Sequence, residues 1–195
     1  MASNMQSGGA NRGNWLRVAI WAFAGELFLL PLVAMQFTSE VNWDGFDFLV
    51  WGVMLLVACG TYELFSRISP NRSYRLGVGA AIVTGFLVFW ANAAVGMVGD
   101  EDNVYNLLFL GAILAGAILA LVAWFRPRGM ARALYVTAAI HGGTALFALA
   151  TSTDLRGAAL SLVFVLPYLV SAGLFNLSAK QLEAGAGALP RSPRR

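Results

Sequence analysis

An all-α polytopic membrane protein, with six transmembrane helices arranged as three helical hairpins, is the fold class this sequence predicts. Three observations carry it. Only 12% of the 195 residues are charged against 58% hydrophobic, and the mean hydropathy is +0.68. A soluble domain carries roughly 25% charged residues, so this chain cannot cover a water-facing surface. The apolar residues fall in six long blocks, 16–37, 46–66, 75–98, 104–125, 132–150 and 157–178. Each is near the roughly 20 residues that cross a hydrocarbon core about 30 Å thick. The charged residues lie mostly between these blocks, basic in one connection and acidic in the next.

The first block is too long for the 7–15 residue apolar stretch of a secretory signal, and no small-x-small cleavage pattern follows it, so it reads as a retained helix. Residues 1–14 and 181–195 are rich in small and polar residues and are expected to be disordered tails around a six-helix domain at 15–180. The single cysteine, Cys59, lies within the second block. It has no intramolecular disulfide partner and reads as a small buried hydrophobe. In the third and fourth blocks small residues recur every four positions (Gly77, Ala81, Gly85; Ala112, Gly116, Ala120), a spacing that lets helix backbones approach closely. Pro31 and Pro167 interrupt the first and last blocks, and each frees a carbonyl one turn earlier.

The charges set an expected orientation. Twelve of the thirteen cations precede odd-numbered helices or follow even-numbered ones, and only Arg156 stands on the other side, among Glu40, Asp44, Asp47, Asp100, Glu101, Asp102 and Asp154. By the positive-inside rule both termini are cytoplasmic, and the expected location is a bacterial inner membrane. The pI of 9.4 is then a topology signal and not a mark of nucleic-acid binding. Anionic lipids at the cytoplasmic face are the expected partners, with a homo-oligomer or another membrane protein as further partners. Trp15, Trp43 and Trp124 stand at block ends, where interfacial aromatics belong.

Arg17, Arg75 and Arg132 open the odd-numbered helices at spacings of 58 and 57 residues, so the hairpins 17–74, 75–131 and 132–180 read as a candidate threefold repeat. Ordinary alternation of six helices gives the same pattern. Nine residues beyond each arginine stand Glu26, Thr84 and His141, about 13 Å along the helix and so near the bilayer midplane. A charge at that depth costs about 2.5–3.5 kcal/mol, so Glu26 is expected to face inward and find a partner or a proton. With the only histidine at the same depth, Glu26, His141 and Thr84 form a candidate proton or solute site. The alternative is polar glue between helices, worth about 0.6 kcal/mol for a typical bond. Asn92 and Glu63 are read as helix–helix polar contacts, with Arg67 at i+4 within reach of Glu63.

Several chemistries are disfavoured. One histidine does not make a bis-histidine haem site, and Glu26 with His141 falls short of a zinc ligand set. Residues 77–82 (GVGAAI) are half of a dinucleotide fingerprint inside a membrane helix, with no strand before it, and no nucleophile elbow, P-loop or zinc-protease motif is present. No lysine inside a helix offers a Schiff base. An enzyme, a metal and a cofactor are therefore not expected.

The stretch Trp90–Ile113 resembles a segment of uncharacterised small multipass membrane proteins of proteobacteria, in the pattern carried here by Trp90, Asn92, Ala94, Val95, Gly96, Gly99, Glu101 and Asn103. The resemblance implies a bacterial inner membrane and no activity. Physically, the glycines suit a tight end of the third helix, and the acids that follow suit the start of the fourth. Those acids would also suit loose binding of a divalent cation. The leading functional expectation is a protein that binds or moves a proton, cation or small solute at a mid-membrane polar site. The alternative is a scaffold or accessory subunit that packs against a membrane complex or itself.

Overall fold

The computed structural model describes residues 7–100 and 102–187. Among these, all regular structure is helical: α1 (Ser7–Ala34), α2 (Gly45–Ile68), α3 (Arg72–Ala94), α4 (Val104–Val122), α5 (Pro127–Thr151), α6 (Leu155–Ser161), a 3-10 turn (Leu162–Phe164) and α7 (Val165–Gly187). Six spans are long and apolar enough to cross a membrane, α6 to α7 counting as one of them. The protein is thus all-α with six membrane-spanning segments.

The helix ends differ from the expected boundaries where polar residues prolong an apolar helix. α1 begins at Ser7, inside the stretch 1–14 expected to be disordered, and α7 continues to Gly187, inside 181–195. Once a spanning helix is nucleated, each added residue gains a backbone hydrogen bond without a new nucleation cost. Residues 1–6 and 188–195, the remainder of the expected tails, lie outside the described residues. α5 begins five residues earlier than its apolar block, at Pro127, since proline suits the first helical position, where no N–H is needed.

The chain divides into two units, residues 1–64 and 65–195. In the first, α1 and α2 run antiparallel, joined near one end by Arg17 and Trp21 to Glu63, and further along by Trp51 Nε1 donating to the Leu27 carbonyl (3.0 Å). Bulky side chains fill the space between them. Phe28 meets Phe48 edge-on at 5.9 Å, Trp43 meets Phe48 and Trp51 at 5.5 and 5.9 Å, and Gly52 leaves room for the Phe28 ring. The start of α2 is a reciprocal cap: the Asp44 carboxylate accepts from the amides of Phe46 and Asp47, and Asp47 accepts from the Asp44 amide. The acids of that loop therefore organise a helix start.

The second unit packs through small residues. α5 buries Leu134, Ala138, His141, Ala145 and Ala148, a three-four spacing that makes one continuous stripe. It lies between α4 and α7, and α7 in turn packs on α3. At Gly116 a Cβ would stand 2.5 Å from Thr137 Oγ1, so only glycine admits α5 this closely. At Gly77 a Cβ would meet the Phe175 ring at 3.1 Å, and the Gly77 carbonyl accepts from Ser171 Oγ at 2.6 Å. Gly85, the next expected small contact on α3, has nothing within 4 Å of where its Cβ would be. α3 and α4, although adjacent in sequence, touch less than α3 with α7 or α4 with α5, so the hairpins do not share one packing mode.

One end of the second unit is tied by two polar side chains. Asn106 Oδ1 accepts from the amides of Met97 and Val98 (2.8 and 3.0 Å), and its Nδ2 donates to the Asp100 carbonyl (2.6 Å). Gly96 and Gly99 have φ of +76° and +69°, a conformation open to glycine that lets the chain reverse around Asn106. Asp154 caps α6 by accepting from the Gly157 amide (3.0 Å) and reaches across to accept from Gly99 (2.8 Å). Those amides, Gly157 first, hold its carboxyl below the ordinary aspartate value, with Arg156 adding a smaller pull. A group with a lowered folded pKa contributes stability that is present above the unfolded pKa and lost as the pH falls through the folded one. Melting followed from about pH 6 down to pH 3 should therefore fall more steeply for the native protein than for Asp154→Asn. Parallel curves would show that the tie carries no linkage.

Candidate functional site

The last span is broken, and the break builds a site. Pro167 has no amide to offer the Val163 carbonyl, and the chain before it tightens to a 3-10 turn in which the Val165 amide bonds to Leu162. The Ser161 carbonyl, which the Val165 amide would take in a regular α-helix, is thereby open. His141 Nε2 occupies it at 3.0 Å. A carbonyl only accepts, so Nε2 carries the hydrogen, and in the neutral ring Nδ1 is left as an acceptor.

His141 is fully buried at 0% exposure. Its ring lies against Phe109 of α4 (centroids 4.8 Å), Phe164 of the 3-10 turn (6.0 Å) and Tyr168 of α7 (5.7 Å). Tyr168 is 3% exposed. Among the described residues, neither His141 Nδ1 nor the Tyr168 hydroxyl has a hydrogen-bond partner. An unpaired buried polar group costs about 1–3 kcal/mol, so two on adjoining rings are a feature that packing alone does not explain. An imidazole acceptor and a phenol that both donates and accepts can together hold a small group bearing a hydrogen-bond donor.

The other expected site residues are placed as follows. Thr84, also in the second unit, is buried and donates to the Ala80 carbonyl of its own helix (2.6 Å). No hydrogen bond joins it to His141 among the described residues. Glu26 belongs to the first unit. The buried positions of its span are Ala24 and Pro31, and Glu26 is exposed, about 200° around the helix from Ala24. Within that unit the expectation of an inward-facing Glu26 is not met, because the α1–α2 contact is filled by aromatic and aliphatic groups. Asn92 was expected to bridge helices, but its Nδ2 donates to the Val88 carbonyl of its own helix (2.8 Å), and its Oδ1 has no partner among the described residues. Glu63 accepts from Arg17 and from Trp21 Nε1 (2.8 Å) across the hairpin. Phe109, Ser161 and Phe164 were not singled out in the sequence. The signal for Ser161 and Phe164 was Pro167, since a proline inside a span marks where regular helix hydrogen bonding breaks, and no local signal pointed to Phe109 on α4.

Among the described residues no group of three or more His, Cys, Asp or Glu side chains could hold a metal ion. No protein-family model matches the chain, and comparison with curated proteins and with solved structures finds no match.

Proposed function

We propose that this multipass membrane protein binds or passes a proton, a cation or a small polar solute at the His141–Tyr168 site. The observation that carries the reading is the pair of unpartnered polar atoms on adjoining buried rings, at a break in a membrane-spanning helix. Broken helices place polar groups at the midplane of many transporters. Catalysis is the weaker reading, since no carboxylate or thiol is described against the imidazole. The charge asymmetry supports cytoplasmic termini and attraction to anionic lipid. The likeness at Trp90–Ile113 supports a bacterial inner membrane.

The test uses the full chain in proteoliposomes, with internal pH dye and light scattering following protons and small neutral solutes. Tyr168→Phe keeps the ring and His141→Phe replaces it with a somewhat larger one, and both remove the polar atoms. Each should lower flux or binding about tenfold, the equivalent of one lost hydrogen bond of about 1.4 kcal/mol. Native-level activity in both variants would overturn the reading.

One observation supports an accessory role instead. Within the first unit Glu26 lies off the α1–α2 contact, and a carboxyl at membrane depth calls for a polar partner. A subunit that meets Glu26 through a hydrogen-bond donor would make the chain a module of a larger assembly. Co-purification lost on Glu26→Leu and kept on Glu26→Gln marks that role.

A further inference from the structure

The end of the second unit opposite the Asn106–Asp154 tie has its own chemistry. The spans of α3 and α5 start there, and those of α4 and α7 end there. Four contacts draw these helix ends together. Asn71 and Ser73 donate to Gln181 Oε1 (2.9 and 3.2 Å), the Tyr74 hydroxyl donates to the Phe125 carbonyl (2.9 Å), and Arg128 pairs with Glu183 (2.7 Å). The helix ends so gathered carry Arg72, Arg75, Arg126, Arg128, Arg132 and Lys180 against the single acid Glu183. For Arg72, Arg75, Arg126 and Arg132 no ion pair is described among the described residues, and three of the four are exposed, Arg75 partly so. Beside Arg126, Trp124 is 81% exposed, and Trp124 and Phe125 both adopt positive φ, 48° and 55°. Bulky residues rarely take that conformation. Here the turn is closed by the Phe125 amide on Ala120 and the Tyr74 hydroxyl on the Phe125 carbonyl.

We propose that this end is a docking surface for anionic phospholipid headgroups. Arg72, Arg75, Arg126 and Arg132 receive the phosphate oxygens, and Trp124 sits at the headgroup level beside them. Three arguments fix the occupant. The cations lie where the spans meet the bilayer edge, so lipid phosphates are the anions present at the highest local concentration. Guanidinium groups match phosphate with paired N–H donors. An exposed indole next to them suits the interfacial layer, where amphipathic rings settle, and not open water. The far end has the opposite sign, with Asp100, Asp102 and Asp154 against Arg156, so the attraction belongs to one leaflet.

The experiment titrates the detergent-solubilised full chain with phosphatidylglycerol and with phosphatidylcholine, reading bound lipid by native mass spectrometry. Phosphatidylglycerol should bind more tightly. Removing one near-surface cation should weaken it about fivefold, and the Arg126→Gln/Arg132→Gln pair about 25-fold. Arg156→Gln, at the other end, should leave the affinity unchanged. If the double variant fails to fold, Arg126→Gln alone is the safer probe, because the Arg126 side chain makes no cap bond. Equal binding of the two lipids would overturn the proposal. So would native affinity in the arginine variants, or an equal loss in Arg156→Gln. Displacement of the lipid by millimolar inorganic phosphate would mark a free-anion site and overturn the lipid assignment.

Discussion

Asn106→Leu is expected to destabilise the protein by about 2–6 kcal/mol, the cost of orphaning two buried amides at about 1–3 kcal/mol each. The amides are those of Met97 and Val98, both buried, and both bond to the one Oδ1 of Asn106. Leucine keeps the branching at Cγ but is bulkier than asparagine, so at this buried position overpacking adds to the loss of the hydrogen bonds. The Asp100 carbonyl also loses its donor. Asn106→Asp separates the two halves of the interaction. It keeps an acceptor for both amides but sets an oxygen against the Asp100 carbonyl, so it should fall between leucine and the native residue. Gly96→Ala tests the same turn from the backbone. Its Cβ would stand 2.5 Å from the Asp100 carbonyl oxygen at a φ of +76°, so the turn must move. Unfolding in mixed micelles followed by helicity gives the three values. An Asn106→Leu variant that unfolds with the native protein would show that the loop is held by something else.

The membrane spans were legible in the sequence because a bilayer imposes a length and a polarity on whatever crosses it, and neither depends on partners. The tight end of the third helix was legible for the same reason, since Gly96 and Gly99 act within a few residues of themselves. The cap that Asp44 and Asp47 form was not read, because those acids were counted only as charges. The contacts that define the candidate site were not legible, because they join positions far apart in sequence. Arg67 was the visible partner for Glu63 at four residues. Glu63 also meets Arg17 across the hairpin, a contact that no local spacing shows. Nothing local to Asn106 shows that its side-chain amide would hold a loop eight and nine residues earlier. His141 was found by depth, but the proline was read as freeing the carbonyl one turn earlier, whereas the carbonyl that meets His141 is that of Ser161, opened by the 3-10 turn before it. Asn92 was misread because an asparagine in a span has two outlets, its own helix or a neighbour. Depth does not choose between them.

Replacing His141 with alanine is expected to cost about 2–5 kcal/mol, the range for large-to-small changes at a fully buried site. The imidazole fills the space between Phe109, Phe164 and Tyr168 and gives the Ser161 carbonyl its donor. These two contributions differ in size. In a membrane protein a helix–helix hydrogen bond averages about 0.6 kcal/mol, because the unfolded chain in the bilayer also finds partners. Lost packing should therefore dominate. His141→Phe refills the space without a donor and should recover stability to within about 1 kcal/mol of the native protein. His141→Gln restores a donor with poorer packing and should recover less. The opposite order would mean that the hydrogen bond to the carbonyl at the helix break outweighs packing, and that His141 is there to hold the turn together. If phenylalanine restores the fold but not flux or binding, the imidazole is dispensable for packing, and its polar atoms are kept for the ligand.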